Sequence, residues 1–234
     1  MAGIIWLASY PKSGNTWLRV FLYNLLRNPG DENAINKMRT FNRGDSQVHL
    51  YEEVTDQEIS TLSLEELAIL RPKMHHMLTN SSQESVFVKT HCSLTKLADV
   101  DQITMSATTG AIYIIRNPLD VCISMAPHFG ISIDEAINWM ADPDLMNGGS
   151  GGDVPYLVSA WSRHVSSWTA QNNSRFLHIT RYEDMLNKPG KVFKAIAAYM
   201  GLKPPANVLR QAIKASSFDV VKKQEEKFGF VERR

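Results

Sequence analysis

Four short runs of the chain are apolar at successive positions: Ile4 to Ser9, Val86 to Lys89, Ala111 to Ile115 and Phe176 to Ile179. They are rich in branched and aromatic residues. That pattern predicts strands buried on both faces, as in a parallel sheet. Helical spacing fills the intervals. Trp17, Phe21 and Leu25 share one face with Leu18, Leu22 and Leu26 beside them, and Val154, Leu157, Val158, Trp161, Val165 and Trp168 form a second stripe. Val192, Phe193, Ile196, Tyr199 and Met200 form a third, which Gly201 is placed to stop. Strands alternating with helices predict an α/β fold, a central parallel sheet flanked by helices. Two stretches break the pattern. Residues 27–57 are polar and carry Asn-Pro-Gly and Arg-Gly-Asp turns, and residues 147–153 read NGGSGGD; both are expected to be surface loops.

Composition narrows the class. With 234 residues, 44% hydrophobic and 21% charged, the chain is expected to form one domain over residues 1–234. The net charge of +1 does not suggest a wrap around nucleic acid, although a local patch can still grip a small anion. No apolar run is long enough to span a membrane, and no signal peptide precedes Ile4, so no membrane partner is expected. Cys92 and Cys122 make neither a disulfide framework nor a zinc site. A cytoplasmic protein with reduced thiols and no metal is expected.

The chemistry gathers at strand ends. Residues 4–17 read IIWLASYPKSGNTW, a buried strand turning into a helix that begins near Trp17. Such a turn presents free N–H groups and the positive end of the helix dipole. Gly14 lets the backbone approach an anion, Lys12 adds charge, and Ser13 and Thr16 add hydroxyls. The order differs from GxxxxGK[ST], because Lys12 precedes the glycine. Residues 111–124 read AIYIIRNPLDVCIS, again strand into helix, with Pro118 and Asp120 suited to the first turn. Arg116 closes the strand and offers a fork for phosphate, unless Asp120 takes it as a structural partner. His91, in VFVKTHCSL, lies just past a strand end, where open α/β sheets place chemistry.

These motifs, in this order, resemble the PAPS-dependent sulfotransferases, PAPS being 3′-phosphoadenosine 5′-phosphosulfate. YPKSGNTW is similar to the family's 5′-phosphosulfate loop YPKSGTTW, with Asn15 where Thr is usual; Asn can still donate to an oxyanion. The resemblance implies a P-loop NTPase-like sulfotransferase fold that binds donor through Lys12, Ser13, Gly14, Asn15, Thr16 and Trp17. RNPLDVCIS resembles the 3′-phosphate signature RNPxDxxxS and implies Arg116 and Ser124 as ligands. KTH implies His91 as the catalytic base with Lys89 beside the sulfuryl group. YEDM implies that Tyr182 contacts adenine, with Trp17 stacking on it. SSFDVVK resembles TSFxxMK and adds Ser216 and Phe218.

His128 is a candidate for the acceptor pocket, whereas His75 and His76 are expected on a helix surface. The family usually continues with a basic RxGxxGxW-type segment that is not present after Phe228. Either the sequence is cut short there, or 3′-phosphate binding rests on Arg116 and Ser124 alone.

The implied reaction is sulfuryl transfer from PAPS to a hydroxyl or amine of a small molecule, releasing PAP. His91, Lys12, Lys89 and Ser124 form the expected catalytic set. Two other classes stay open: a nucleotide kinase or NTPase, and a non-catalytic PAP(S)-binding protein. The acceptor is not named by the sequence, nor is the oligomeric state, a homodimer being one option.

Overall fold

The computed structural model describes residues 2–27, 29–80, 83–149, 152–170 and 176–232. Its centre is a five-stranded, wholly parallel sheet. In chain order the elements begin with β1 (Ile4–Ser9), α1 (Asn15–Leu26), α2 (Ala34–Lys37), β2 (Asn42–Gly44), α3 (Val48–Glu52), α4 (Leu64–Asn80) and β3 (Val86–Thr90). A small hairpin, β4 (Lys96–Leu97) and β5 (Val100–Asp101), precedes β6 (Thr108–Ile115), α5 (Pro118–Phe129) and α6 (Ile133–Ala141). Then come β7 (Met146–Asn147), β8 (Tyr156–Leu157), α7 (Trp161–Thr169), β9 (Leu177–Arg181), α8 (Tyr182–Asn187), α9 (Pro189–Tyr199), α10 (Ala206–Ala215) and α11 (Phe218–Phe228). The sheet order is β2-β3-β1-β6-β9.

The four apolar runs became β1, β3, β6 and β9. The central strands β1 and β6 are largely buried on both faces, whereas the edge strand β9 is not, and its Ile179 is exposed. Ile4, Trp6 and Ala8 of β1 pack with Ala111 and Tyr113 of β6 against Met74, Val121 and Trp168. Leu7, Ile112 and Ile114 point the other way, onto Leu18, Phe21 and Leu22 of α1 and Phe193 and Ile196 of α9. Two helical layers therefore sandwich the sheet. Burying side chains as large as Trp6 or Phe193 contributes about 1.5–3 kcal/mol each.

Three expectations need correction. Residues 27–57 are not simply a surface loop: among those described they hold α2, α3 and the edge strand β2, and they bury Ile35, Met38, Leu50 and Tyr51. A segment can be locally polar and still contribute to a core by a few well-placed side chains. The stripe from Val154 to Trp168 is helical only from Trp161; Val154 and Val158 are buried from an extended segment that contains Pro155 and β8. His75 is fully buried, with Nδ1 at 2.8 Å from the Thr104 hydroxyl and its ring edge-on to Trp6, while His76 is exposed. In the NGGSGGD run, positions 150 and 151 lie outside the described residues. Among the described residues no helix is long and apolar enough to cross a membrane.

Candidate active site

β1 delivers the chain into a tight turn at the carboxyl edge of the sheet. Lys12 takes a left-handed conformation (φ 64°), and Gly14, the N-cap of α1, takes another (φ 100°). The helix has neither a side-chain cap nor an acidic residue in its first turn. Its first N–H groups and the positive end of its dipole are therefore not taken up by a cap or acid of the helix itself. Ser13 is fully buried, and its hydroxyl has no hydrogen-bond partner among the described residues. Gly14 also lies against Tyr182: a Cβ there would sit 2.6 Å from Cδ2 of that ring. Asn15 behaves differently from expectation. Its amide donates inward to the Leu7 carbonyl at 2.8 Å, so what it can offer an anion is its backbone N–H.

Arg116, at the end of β6, fastens this turn. Its Nη1 donates to the Lys12 carbonyl at 2.9 Å, and its guanidinium lies 4.3 Å from the Tyr182 ring centre. No ion pair joins it to Asp120 among the described residues, and its Nε has no partner. Asn117 caps α5 by accepting from the Leu119 N–H, with Pro118 in the first turn and Asp120 beside it. Trp17 meets Tyr182 edge to face at 5.8 Å. These rings and Arg116 build one wall with a flat face and a fixed charge.

His91 follows β3 and is held from behind. Its Nδ1–H donates to the Ser9 carbonyl at 2.7 Å, which leaves the Nε2 lone pair available. Burial, followed by the charge of Lys89, holds its pKa well below the ordinary histidine value of 6.5. A relay fixes its backbone: the Tyr113 hydroxyl is 2.8 Å from His164 Nδ1, and His164 Nε2 is 3.2 Å from the His91 carbonyl. Burial pushes the His164 pKa down to about 3, so that imidazole is neutral, donating with one nitrogen and accepting with the other. Behind Thr90 and Cys92, Asp45 pairs with the buried Arg71 at 3.2 Å and accepts from the Thr90 hydroxyl at 2.8 Å.

Two cavities open on this edge of the sheet. One, of ≈ 500 Å³, is bordered by Gly14, Thr16, Trp17, Arg116, Ser124, Tyr182 and Phe218. The other, of ≈ 860 Å³, runs along β2 and the ends of α5 and β7. Both are bordered by Lys12, Lys89, His91 and His128. A molecule in one would thus meet a molecule in the other at His91. The residues singled out from sequence are brought together here, with two exceptions. Ser13 sits beneath the turn. Ser216 is fully buried and donates to the Ala212 carbonyl at 2.9 Å, away from the cavity.

The sulfotransferase-domain family model matches residues 3–228. This chain belongs to that family. It is 25% identical over 224 residues to sulfotransferase 2A6 of Rattus norvegicus, covering 92% of this chain and 66% of that one. It is 26% identical over 230 residues to luciferin sulfotransferase of Photinus pyralis, covering 92% and 56%. The chain thus spans less than two thirds of the length of these relatives. Among solved structures, mouse sulfotransferase SULT7A1 complexed with PAP superposes with a TM-score of 0.62 at 19% identity, covering 94% of this chain and 66% of that one. Retinol dehydratase in complex with retinol and PAP superposes at 0.65 with 18% identity, covering 99% and 71%. The fold is that of the sulfotransferases.

Three side chains at or behind the site carry little signal in the sequence. Arg19 lies buried on α1, and Glu232 reaches it with two contacts of 2.7 Å while also touching Lys89 at 3.3 Å. A lone arginine inside the apolar WLRVFLYNLL helix was the available signal. Glu232 had none, because its partners are remote in sequence. His164 was likewise hidden within an amphipathic stripe. Burial, and after it the charge of Arg19, lowers the Lys89 pKa from 10.5, while Glu232 opposes the shift.

Proposed function

We propose that this protein transfers a sulfuryl group from PAPS to a hydroxyl or amine of a small-molecule acceptor, releasing PAP. The observation that carries the proposal is the meeting of the two cavities at Lys12, Lys89 and His91. The residues suit the donor: the uncapped α1 terminus and Lys12 suit a 5′-phosphosulfate, and Arg116 with Ser124 suits a 3′-phosphate. The Trp17 and Tyr182 rings suit a purine. The PAP in the two solved relatives agrees with that assignment.

PAPS, when bound, supplies a sulfuryl group already attached to a good leaving phosphate. His91 does the proton work. Its Nε2 takes the proton from the acceptor hydroxyl as the oxygen bonds to sulfur and the bond from sulfur to the bridging oxygen breaks. The Ser9 carbonyl steadies the imidazolium that results, because it already accepts from Nδ1. Lys12 neutralises charge gathering on the bridging oxygen, and Lys89 holds the sulfuryl oxygens. The low pKa of His91 keeps the imidazole unprotonated, and so ready to accept, throughout the neutral range.

The test has two arms. Calorimetry should show PAP binding that ATP does not displace; displacement by ATP would favour a kinase or NTPase. Incubation with radiolabelled PAPS and hydroxylated acceptors should yield labelled ester, with His91→Ala slowing transfer by about 10² or more. Tight PAP binding with no transfer to any acceptor would leave a binding protein.

A further inference from the structure

The cavity along β2 has an unusual lining for a pocket that takes flat apolar molecules. Its floor carries the buried Arg19 and Asn42, and its walls present Gln47 and Asn147. Large apolar side chains are few there, Phe129 and Tyr156 among them. Pockets for apolar ligands gain affinity by burying rings against apolar walls. Here such a ring would instead strip water from guanidinium and amide groups, which is unfavourable.

The charge is also lopsided. The acidic side chains at this cavity already have cationic or hydroxyl neighbours. Asp45 pairs with Arg71, Glu232 is shared by Arg19 and Lys89, and Asp153 accepts from the Ser46 hydroxyl at 3.0 Å. Arg39, just before β2, and Arg43, within it, stand exposed at the mouth. Neither makes an ion pair or side-chain hydrogen bond among the described residues. A cleft lined by one surplus sign of charge attracts the opposite sign.

We propose that the acceptor is a hydroxyl-rich molecule bearing its own anionic group, of the sugar-acid type. Arg39 and Arg43 hold the anion at the cavity mouth while a hydroxyl of the same molecule faces His91. This rests on the sulfuryl-transfer reading of the site and narrows it to a substrate class. Guanidinium forks bind carboxylates in pairs of contacts, so both affinity and orientation follow from the same two side chains.

The experiment is calorimetry with phenyl glucuronide, phenyl glucoside and naphthol, each added to the protein with and without PAP. The glucuronide should bind at least about tenfold tighter than the glucoside, and the glucoside tighter than naphthol. The glucuronide's advantage should shrink with added salt and vanish in the Arg39→Ala/Arg43→Ala protein. Both positions are exposed, so the variant is expected to fold, and its PAP affinity is the control. Equal binding of glucuronide and glucoside, tightest binding of naphthol, or an unaltered preference in the double variant would each overturn the proposal. Failure of PAP to bind would instead strike the donor assignment, and the glucuronide preference of the free protein would still decide the acceptor class.

Discussion

The Arg19 guanidinium and the Glu232 carboxylate form a fork of two 2.7 Å contacts, although they lie at opposite ends of the chain. The Arg19 side chain is 1% exposed and that of Glu232 22%. Without Glu232, Arg19 keeps only longer contacts among the described residues, to Asn42 at 3.3 Å and Thr16 at 3.4 Å. Glu232→Gln is therefore expected to lower stability by about 1–3 kcal/mol, less than for a pair buried on both sides. Urea melts measure it. Arg19→Met added to Glu232→Gln should recover much of the loss; identical melts for wild type and Glu232→Gln would show that the fork contributes nothing.

Proton transfer should leave a skewed pH profile. The His91 pKa lies well below 6.5 and the proposed base is its neutral form, so on the acid side kcat/KM should fall only as pH drops through a value below 6.5. Lys89, lowered from 10.5, should set an alkaline limb below that value. Lys89→Met removes one of the charges that depress His91. The acid limb should then move upward, toward 6.5, in addition to any fall in rate. An acid limb that stays fixed would remove Lys89 from the neighbourhood of the base.

Stability should respond to acid through buried histidines. His75, His91 and His164 all have folded pKa values below 6.5, each chiefly through burial. A group held neutral in this way gives its full contribution above its unfolded pKa and loses it as pH falls below, because the unfolded chain binds the extra protons. Thermal melts should be flat near neutrality and decline steadily below pH 6.5. His75→Phe, in contact with Trp6, should make that decline shallower whatever it does to the Tm at neutral pH.

Gly14→Ala tests the donor turn without touching a charge. The φ of 100° is costly for alanine, and the added methyl meets Tyr182 at 2.6 Å. The strain is about 1–3 kcal/mol. If Tyr182 swings aside to make room, Arg116 loses the ring beneath it. PAP affinity should drop by tenfold or more on the scale of about 1.4 kcal/mol per tenfold. Adding Tyr182→Ala should relieve the clash but not restore binding, since the backbone strain stays and the ring proposed to meet the purine is lost. Unchanged PAP affinity in Gly14→Ala would place the phosphate elsewhere.

Much of this architecture was legible because it is local. β1, β3, β6 and β9 announce themselves as continuous apolar runs, and the turn at Lys12–Gly14 is written in consecutive residues. β2 was not legible: Asn42-Arg43-Gly44 has no strand pattern of its own and exists because β3 offers it an edge to pair with. His75 looked polar on a helix, yet Thr104 and Trp6 give it a buried place that no spacing rule foretells. Asn15 fitted its motif while its amide turned inward to Leu7. Long-range partners such as Arg19 and Glu232 lie outside any sequence window.

β2 pairs in register with Phe87 to Lys89, on the strand that carries Lys89 itself. The neighbouring loop is stitched to the same wall, since Val48 donates to the Gly152 carbonyl and Val154 to that of Ser46. Neither segment can swing outward without pulling on the strand that carries Lys89. Room for a bulkier guest has to come from the far bank, where α5 carries Pro127 inside its last turn and ends at His128, Phe129 and an unobstructed Gly130. A change in the guest this cavity takes would find its slack in that helix end.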